Sequence, residues 1–160
     1  MTAGGSSIPE VQRLLSVLAA GRRVAEAGTA FGEGAEAMAR TARSVVTVEL
    51  DPGRAAVASQ RLASYENVDL LVGDWRELLP ARGPFELLFL DAGGFKHDPD
   101  GSSDLVFGLL TRGGLLVMDD MTPDSPGFDP VRGWAHSHSG LKAAEVLTTL
   151  DTSAMLVVRT

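Results

Sequence analysis

Five short apolar runs, each ending at an acidic residue, constrain this chain more than any other feature of it. Val24-Ala25 runs into Glu26, Val45-Val46-Thr47-Val48 into Glu49, and Val68 to Val72 into Gly73-Asp74. Phe85 to Leu90 then runs into Asp91, and Gly114 to Met118 into Asp119-Asp120. Between them lie stretches that read as helices: Ala35 to Arg40, Asp51-Pro52 to about Ser64, Trp75 to Leu79, and Ser103 to Leu110. Short strands alternating with helices predict an α/β fold, with a parallel sheet covered on both faces.

The two ends depart from this rhythm. Ser7-Ile8-Pro9-Glu10 reads as a capping box with Pro early in the helix. Ile8, Val11, Leu14, Leu15 and Leu18 follow at helical spacing up to Gly21. In the tail, Pro130 to His138 reads as a short helix. Ala144–Thr149 and Ala154–Arg159 read as strands joined by Asp151-Thr152-Ser153, a link short enough only for an antiparallel hairpin.

Composition narrows the function classes. At 160 residues, 44% hydrophobic and 22% charged, the expectation is one globular domain over 1–160 with a flexible 1–7. The 14 bases against 21 acids, a net charge of −7, disfavour nucleic acid and anionic membranes as partners. With no Cys, thiolate metal sites, disulfides and a Cys nucleophile are excluded. The polar start shows no signal peptide, and no apolar run reaches the ~18–20 residues of a membrane span. The expected setting is cytoplasmic.

Open parallel sheets bind ligands at the carboxyl ends of their strands, where all five acidic positions fall. One or two of them are expected to be ordinary helix caps. The loop after the first strand, Glu26-Ala27-Gly28-Thr29-Ala30-Phe31-Gly32-Glu33-Gly34, lets backbone approach a ligand closely, with a helix N-terminus behind it. A dinucleotide is one alternative, since Gly32-Glu33-Gly34-Ala35-Glu36-Ala37 fits G-x-G-x-x-A. That match starts too far past the strand, and Glu49 follows it too closely for the ribose acid.

The ordered set E-x-G-x-x-x-G, V-E-L-D-P, G-D-W, L-D-A and G-G-L-L-V-M-D-D resembles the class I S-adenosylmethionine-dependent methyltransferases, in particular their catechol and caffeoyl-CoA O-methyltransferase branch. The resemblance runs from about Arg22 to Thr160. It implies a doubly wound, Rossmann-like seven-stranded sheet of order 3-2-1-4-5-7-6 with strand 7 antiparallel. It implies a cofactor site at Glu26, Gly28, Thr29, Ala30, Gly32, Gly34, Glu49, Leu50, Gly73, Asp74, Trp75 and Asp91. Glu49 would accept from the ribose hydroxyls, Asp74 would take the adenine amino group, and Trp75 would either stack on the base or pack in the core. Gly28 and its loop would cradle the methionine portion, with Glu26 and Asp91 on its cationic side. A cationic cofactor accounts for an acidic site with no P-loop lysine. Relatives often carry Ser or Thr where this chain has Gly34, and a second glycine where it has Ala30.

The same branch implies a divalent cation, Mg²⁺, at Asp91, Asp119 and Asp120, where oxygen-only ligands suit it. The ion would hold two neighbouring hydroxyls and lower the pKa of the attacking one. The alternative for Asp119 or Asp120 is a turn cap before Pro123. Asp91 and Lys96 are the candidate catalytic residues, although Lys96 is offset from the family's lysine. His97 is either a general base or a solvated loop residue. His136 and His138, two apart, diverge on a helix and do not make a metal site. Asp98, Asp124 and Asp129 read as turn residues, and Phe95, Phe107 and Phe128 as packing.

The expected activity is methyl transfer to a small-molecule acceptor, at a hydroxyl oxygen, with the acceptor chosen by loops Phe95–Ser102 and Met121–Trp134. A second reading, of another class, is a catalytically silent interaction domain. It is motivated by the single helix before the first strand, where relatives carry lid helices; a homodimer could cover that face. Setting aside Glu26, Glu49, Asp74, Asp91, Asp119 and Asp120 leaves 15 acids against 14 bases. The charge surplus therefore belongs to one predicted edge of the sheet.

Overall fold

A computed structural model of the chain describes residues 7–123 and 129–160. Its seven strands are β1 (Arg23–Ala27), β2 (Ser44–Glu49), β3 (Val68–Val72), β4 (Phe85–Leu90), β5 (Leu110–Met121), β6 (Leu141–Leu147) and β7 (Ser153–Arg159). They form one sheet of order β3-β2-β1-β4-β5-β7-β6. β1 to β5 are mutually parallel, while β7 runs antiparallel to β5 and β6. The order inferred from the motifs is the order observed.

The helices are α1 (Pro9–Ala19), α2 (Glu33–Ala39), α3 (Pro52–Leu62), α4 (Trp75–Leu78), α5 (Gly93–His97), α6 (Ser103–Leu109) and α7 (Pro130–Ser137). The period-2 alternation of the strands separates two cores. Val24, Val45, Leu87, Phe89 and Val117 face α1 and α2, packing with Val11, Leu15 and Met38. Ala25, Val46, Leu88, Leu90 and Leu116 face the other way, onto Trp75, Phe95, Val106, Leu109, Val131 and Ala135 of α4 to α7. This two-sided burial explains why the strands read as unbroken apolar runs rather than alternating ones.

Four local expectations are corrected. α1 starts from Ile8, whose side chain cannot cap, so the box at Ser7 does not form; the Ser7 carbonyl instead accepts from Gln12 Nε2 at 2.6 Å. β1 continues through Ala27, so Glu26 lies inside the strand and is buried rather than standing at its exit. β5 runs to Met121, so Asp119 and Asp120 also lie within a strand. The pairing of β5 with β7 is interrupted between Met118 and Met121, where Asp120 takes a φ of 56°. This left-handed conformation is one that Asp tolerates better than most residues. Finally, α5 interrupts the segment read as a loop, and its Phe95 is fully buried against Trp134, ring edge to face at 5.2 Å. The positions Asp124 and Phe128, and the flexible terminus expected over 1–7 apart from Ser7, lie outside the described residues.

Candidate functional site

A cleft of about 990 Å³ opens at the carboxyl ends of β1 to β5. Gly28, Ala30, Glu49, Leu50, Gly73, Asp74, Trp75, Asp91, Lys96, His97 and Asp120 line it, joined by Asp51, Arg54 and Arg76. Parallel strands deliver this convergence, because each brings its last residue to the same edge.

Its floor is the turn out of β1. The Gly28 amide donates to the Val48 carbonyl at 2.9 Å, with Gly28 at φ 96°. A Cβ there would lie 3.2 Å from the Ala92 nitrogen and the Asp91 carbonyl carbon, so only glycine lets the exits of β1 and β4 meet this closely. Ala30, at φ 49°, turns its amide onto Glu49 Oε2 at 2.7 Å. The Asp51 amide donates to Glu49 Oε1 at 3.0 Å. Each carboxylate oxygen thus has one backbone donor and one further lone pair for a ligand hydroxyl. Asp51 and Asp74 cap α3 and α4, accepting from the amides of Arg54 (2.7 Å) and Arg76 (2.9 Å). Trp75 is buried in the wall of the cleft, with the Arg76 guanidinium 4.8 Å from its ring centre. Stacking on a base and packing in the core are therefore compatible roles for it.

Several expected residues sit behind the cleft rather than on it. Thr29 is buried, its hydroxyl 2.5 Å from that of Thr47, which donates to Glu26 Oε2 at 2.5 Å. Gly32 is the N-cap of α2 and faces Ala58 and Arg61 of α3. Residues 33–35, the first turn of α2, do not line the cleft. Gly34 lies inside α2, and a Cβ on it would run into Glu26 Oε1. A side chain here would have to move the flexible carboxyl end of Glu26 aside. Burial, aided by the neighbouring charges of Asp91, Asp119 and Glu49 and opposed by the Thr47 hydrogen bond, pushes the Glu26 carboxyl up to about 8.

On the other side of Gly28 stands a second group. Carboxylate oxygens of Asp91, Asp119 and Asp120 all lie within 4.8 Å of one another, the one such cluster among the described residues. Burial raises both Asp91 and Asp119, and the Lys96 ammonium works against the rise in each. Lys96 Nζ donates to the Asp119 carbonyl at 2.7 Å and lies 3.3 Å from Asp91 Oδ1 and 3.5 Å from Asp119 Oδ1. The trio supplies the hard oxygen donors Mg²⁺ needs, but an ammonium already stands among them. With Lys96 seated there, the arrangement does not fit a divalent ion. His97 lines the cleft and is exposed; His136 lies apart on α7.

The site does fit a cationic nucleoside. Its rim is acidic, Glu49 and Asp74 point acceptors into it, and Gly28 leaves backbone bare where a ligand's polar end would lie. S-adenosylmethionine, with its ammonium and sulfonium groups, matches that donor set.

No family model matches the chain. It is 35% identical over 108 residues to the protein-L-isoaspartate O-methyltransferase 1 of Geotalea uraniireducens (strain Rf4), a match covering 66% of this chain. The chain spans about half, 48%, of that relative's length. Among solved structures it is 30% identical to cofactor-bound Rv0187 from MTB, covering 96% of this chain and 82% of that one at a TM-score of 0.77. It is 25% identical to the O-methyltransferase TomG of Streptomyces achromogenes, involved in tomaymycin synthesis and solved with S-adenosylmethionine; there the coverage is 100% and 83%, and the TM-score 0.74. Described strand by strand and matched over nearly its whole length, this chain belongs to the class I S-adenosylmethionine-dependent methyltransferases.

Proposed function

We propose that the protein transfers the methyl group of S-adenosylmethionine to an oxygen of a small-molecule acceptor. The observation that carries this reading is the meeting of Gly28, Glu49, Asp74 and Asp91 in one cleft, each from a different strand end. When bound, S-adenosylmethionine supplies a methyl carbon whose bond to sulfur breaks as the bond to the acceptor oxygen forms, the electron pair staying on sulfur.

The chain's own residues then have distinct tasks. Glu49 holds the ribose hydroxyls through the lone pairs its two backbone donors leave open. Asp74 and Trp75 bound the base, and Leu50, 71% exposed on the rim, covers its edge. Gly28 lets the backbone approach the amino-acid end, with Asp91 facing the cationic side. His97 lies on the acceptor's side, where a positioned base takes the hydroxyl proton, while the Lys96 ammonium holds Asp91 in place beside it. Rate acceleration rests on that alignment and on the fixed negative field. Mg²⁺ has no part in this reading, because the Lys96 ammonium already stands between Asp91 and Asp119. The O-methyltransferase TomG supports oxygen as the acceptor atom and a small molecule as its carrier.

Calorimetry with S-adenosylhomocysteine tests the cofactor half. The wild type should bind with a Kd in the micromolar range and Glu49→Ala should not; no heat from the wild type at sub-millimolar ligand would sink the reading. A panel of catechols, hydroxy acids and an isoaspartyl peptide, scored by mass spectrometry for a 14 Da gain, tests the acceptor half. Methylation of the peptide alone would replace the small molecule with a protein carboxylate. Binding without any turnover would favour the silent interaction domain.

A further inference from the structure

Lys96 reaches the acidic trio through α5, the helix that the Gly93-Gly94 pair disguises in the sequence. Its side chain is only 14% exposed, and that of Asp119 2%. The contact that sets this lysine apart is the 2.7 Å bond to the main-chain carbonyl of Asp119. That carbonyl sits where the β5–β7 pairing is interrupted. An ammonium bound to carboxylates alone could swing away and leave them to another cation. One that also satisfies this carbonyl leaves a buried acceptor unpaired when it goes. The lysine is thereby held at two chemically different partners, and both carboxylates nearest the cleft floor share it.

A divalent ion would draw on two of the carboxylates that already hold the ammonium. Mg²⁺ sits about 2.1 Å from each ligand oxygen, so bound to the trio it would stand close against a like charge. We propose that the Lys96 ammonium is the resident cation of Asp91 and Asp119, the two buried members of the trio, that it keeps a divalent ion out, and that the reaction at this cleft runs without metal. Lys96 is then a positioning residue, which fixes the Asp91 carboxylate beside Gly28. The first two parts stand on the lysine's contacts; the third rests on the methyl-transfer reading.

The test is a Mn²⁺ titration followed by the electron paramagnetic resonance signal of the free ion. Wild type and Lys96→Arg, which both keep a cation in place, should leave the signal of millimolar Mn²⁺ undiminished. Lys96→Met should take up one ion per chain at least tenfold more tightly, and adding Asp119→Asn should abolish the uptake. If Lys96→Met does not fold, Lys96→Gln, which keeps one donor for the Asp119 carbonyl, carries the same arm. Stoichiometric sub-millimolar uptake by the wild type would overturn the proposal. So would Lys96 variants as inert as the wild type, since the lysine would then not be what excludes the ion. S-adenosylhomocysteine binding, measured on the same samples, reports separately on the methyltransferase reading.

Discussion

The two halves of the cleft hold their carboxylates by different means. On the β2–β3 side, Glu49, Asp51 and Asp74 are each met by backbone amides of the next turn or helix. Neutral donors fixed by the fold hold these carboxylates in place without competing for a ligand's positive charge. On the β4–β5 side, Asp91 and Asp119 face each other and Lys96, and burial drives both upward in pKa. In the proposed function the first half holds the neutral, hydroxyl-rich part of the cofactor. The second is an electrostatic balance, in which removing any member changes the others. Tight recognition and adjustable charge are thus separated by the width of one glycine turn.

This contrast can be broken from either side. The largest effect is expected from Lys96→Met, which leaves two buried acids facing each other. Stability at pH 8 should fall by roughly 3 kcal/mol, the usual cost of removing one partner from a buried ion pair, and urea melts should show it shrinking below pH 6 as the acids protonate. Next comes Glu49→Ala, with an expected loss of about 100-fold in S-adenosylhomocysteine affinity, or ~2.7 kcal/mol, measured by calorimetry; circular dichroism should show the secondary structure retained.

Glu26→Gln probes the buried acid between the halves. Its raised pKa means that the folded state keeps the proton that the unfolded chain loses above about pH 4.5. This group's contribution to stability is therefore full below that pH and lost as pH rises through about 8. The neutral amide removes the loss, so the Tm of the variant should exceed that of wild type at pH 8 and match it at pH 4. Equal gains at both pH values would show that the carboxyl is not held protonated. The smallest effect is expected from Asp74→Ala, which removes the cap of a four-residue helix. About 0.5–1 kcal/mol of stability should go, with a fewfold weaker cofactor affinity.

Much of this was legible in the sequence because it depends on repetition. Each β-strand announced itself by an apolar run, and the acidic residue after it marked the cleft edge. The sheet order came from matching those motifs to a family, since alternation alone does not order strands. What escaped was set by a single residue or by tertiary contact. Glu26 and Asp119 were read as strand exits because nothing local signals that β1 runs one residue further or that β5 carries an irregularity at Asp120. α5 was hidden because Gly93-Gly94 has poor helix propensity, and the burial of Phe95 against Trp134 overrides it. Lys96 follows Asp91 by five residues in the sequence, yet only the fold shows that α5 brings its ammonium to the Asp119 carbonyl.

The missing side chain at Gly34 has a further consequence. Its volume belongs to Glu26, so positions 26 and 34 cannot vary independently. Gly34→Ser alone forces a buried carboxyl into its neighbours. The same change made together with a shorter residue at position 26 meets only the closer packing of Ser7 and Phe89, at 3.2 and 3.4 Å from the added Cβ. The pair should be strongly non-additive in a double-mutant cycle.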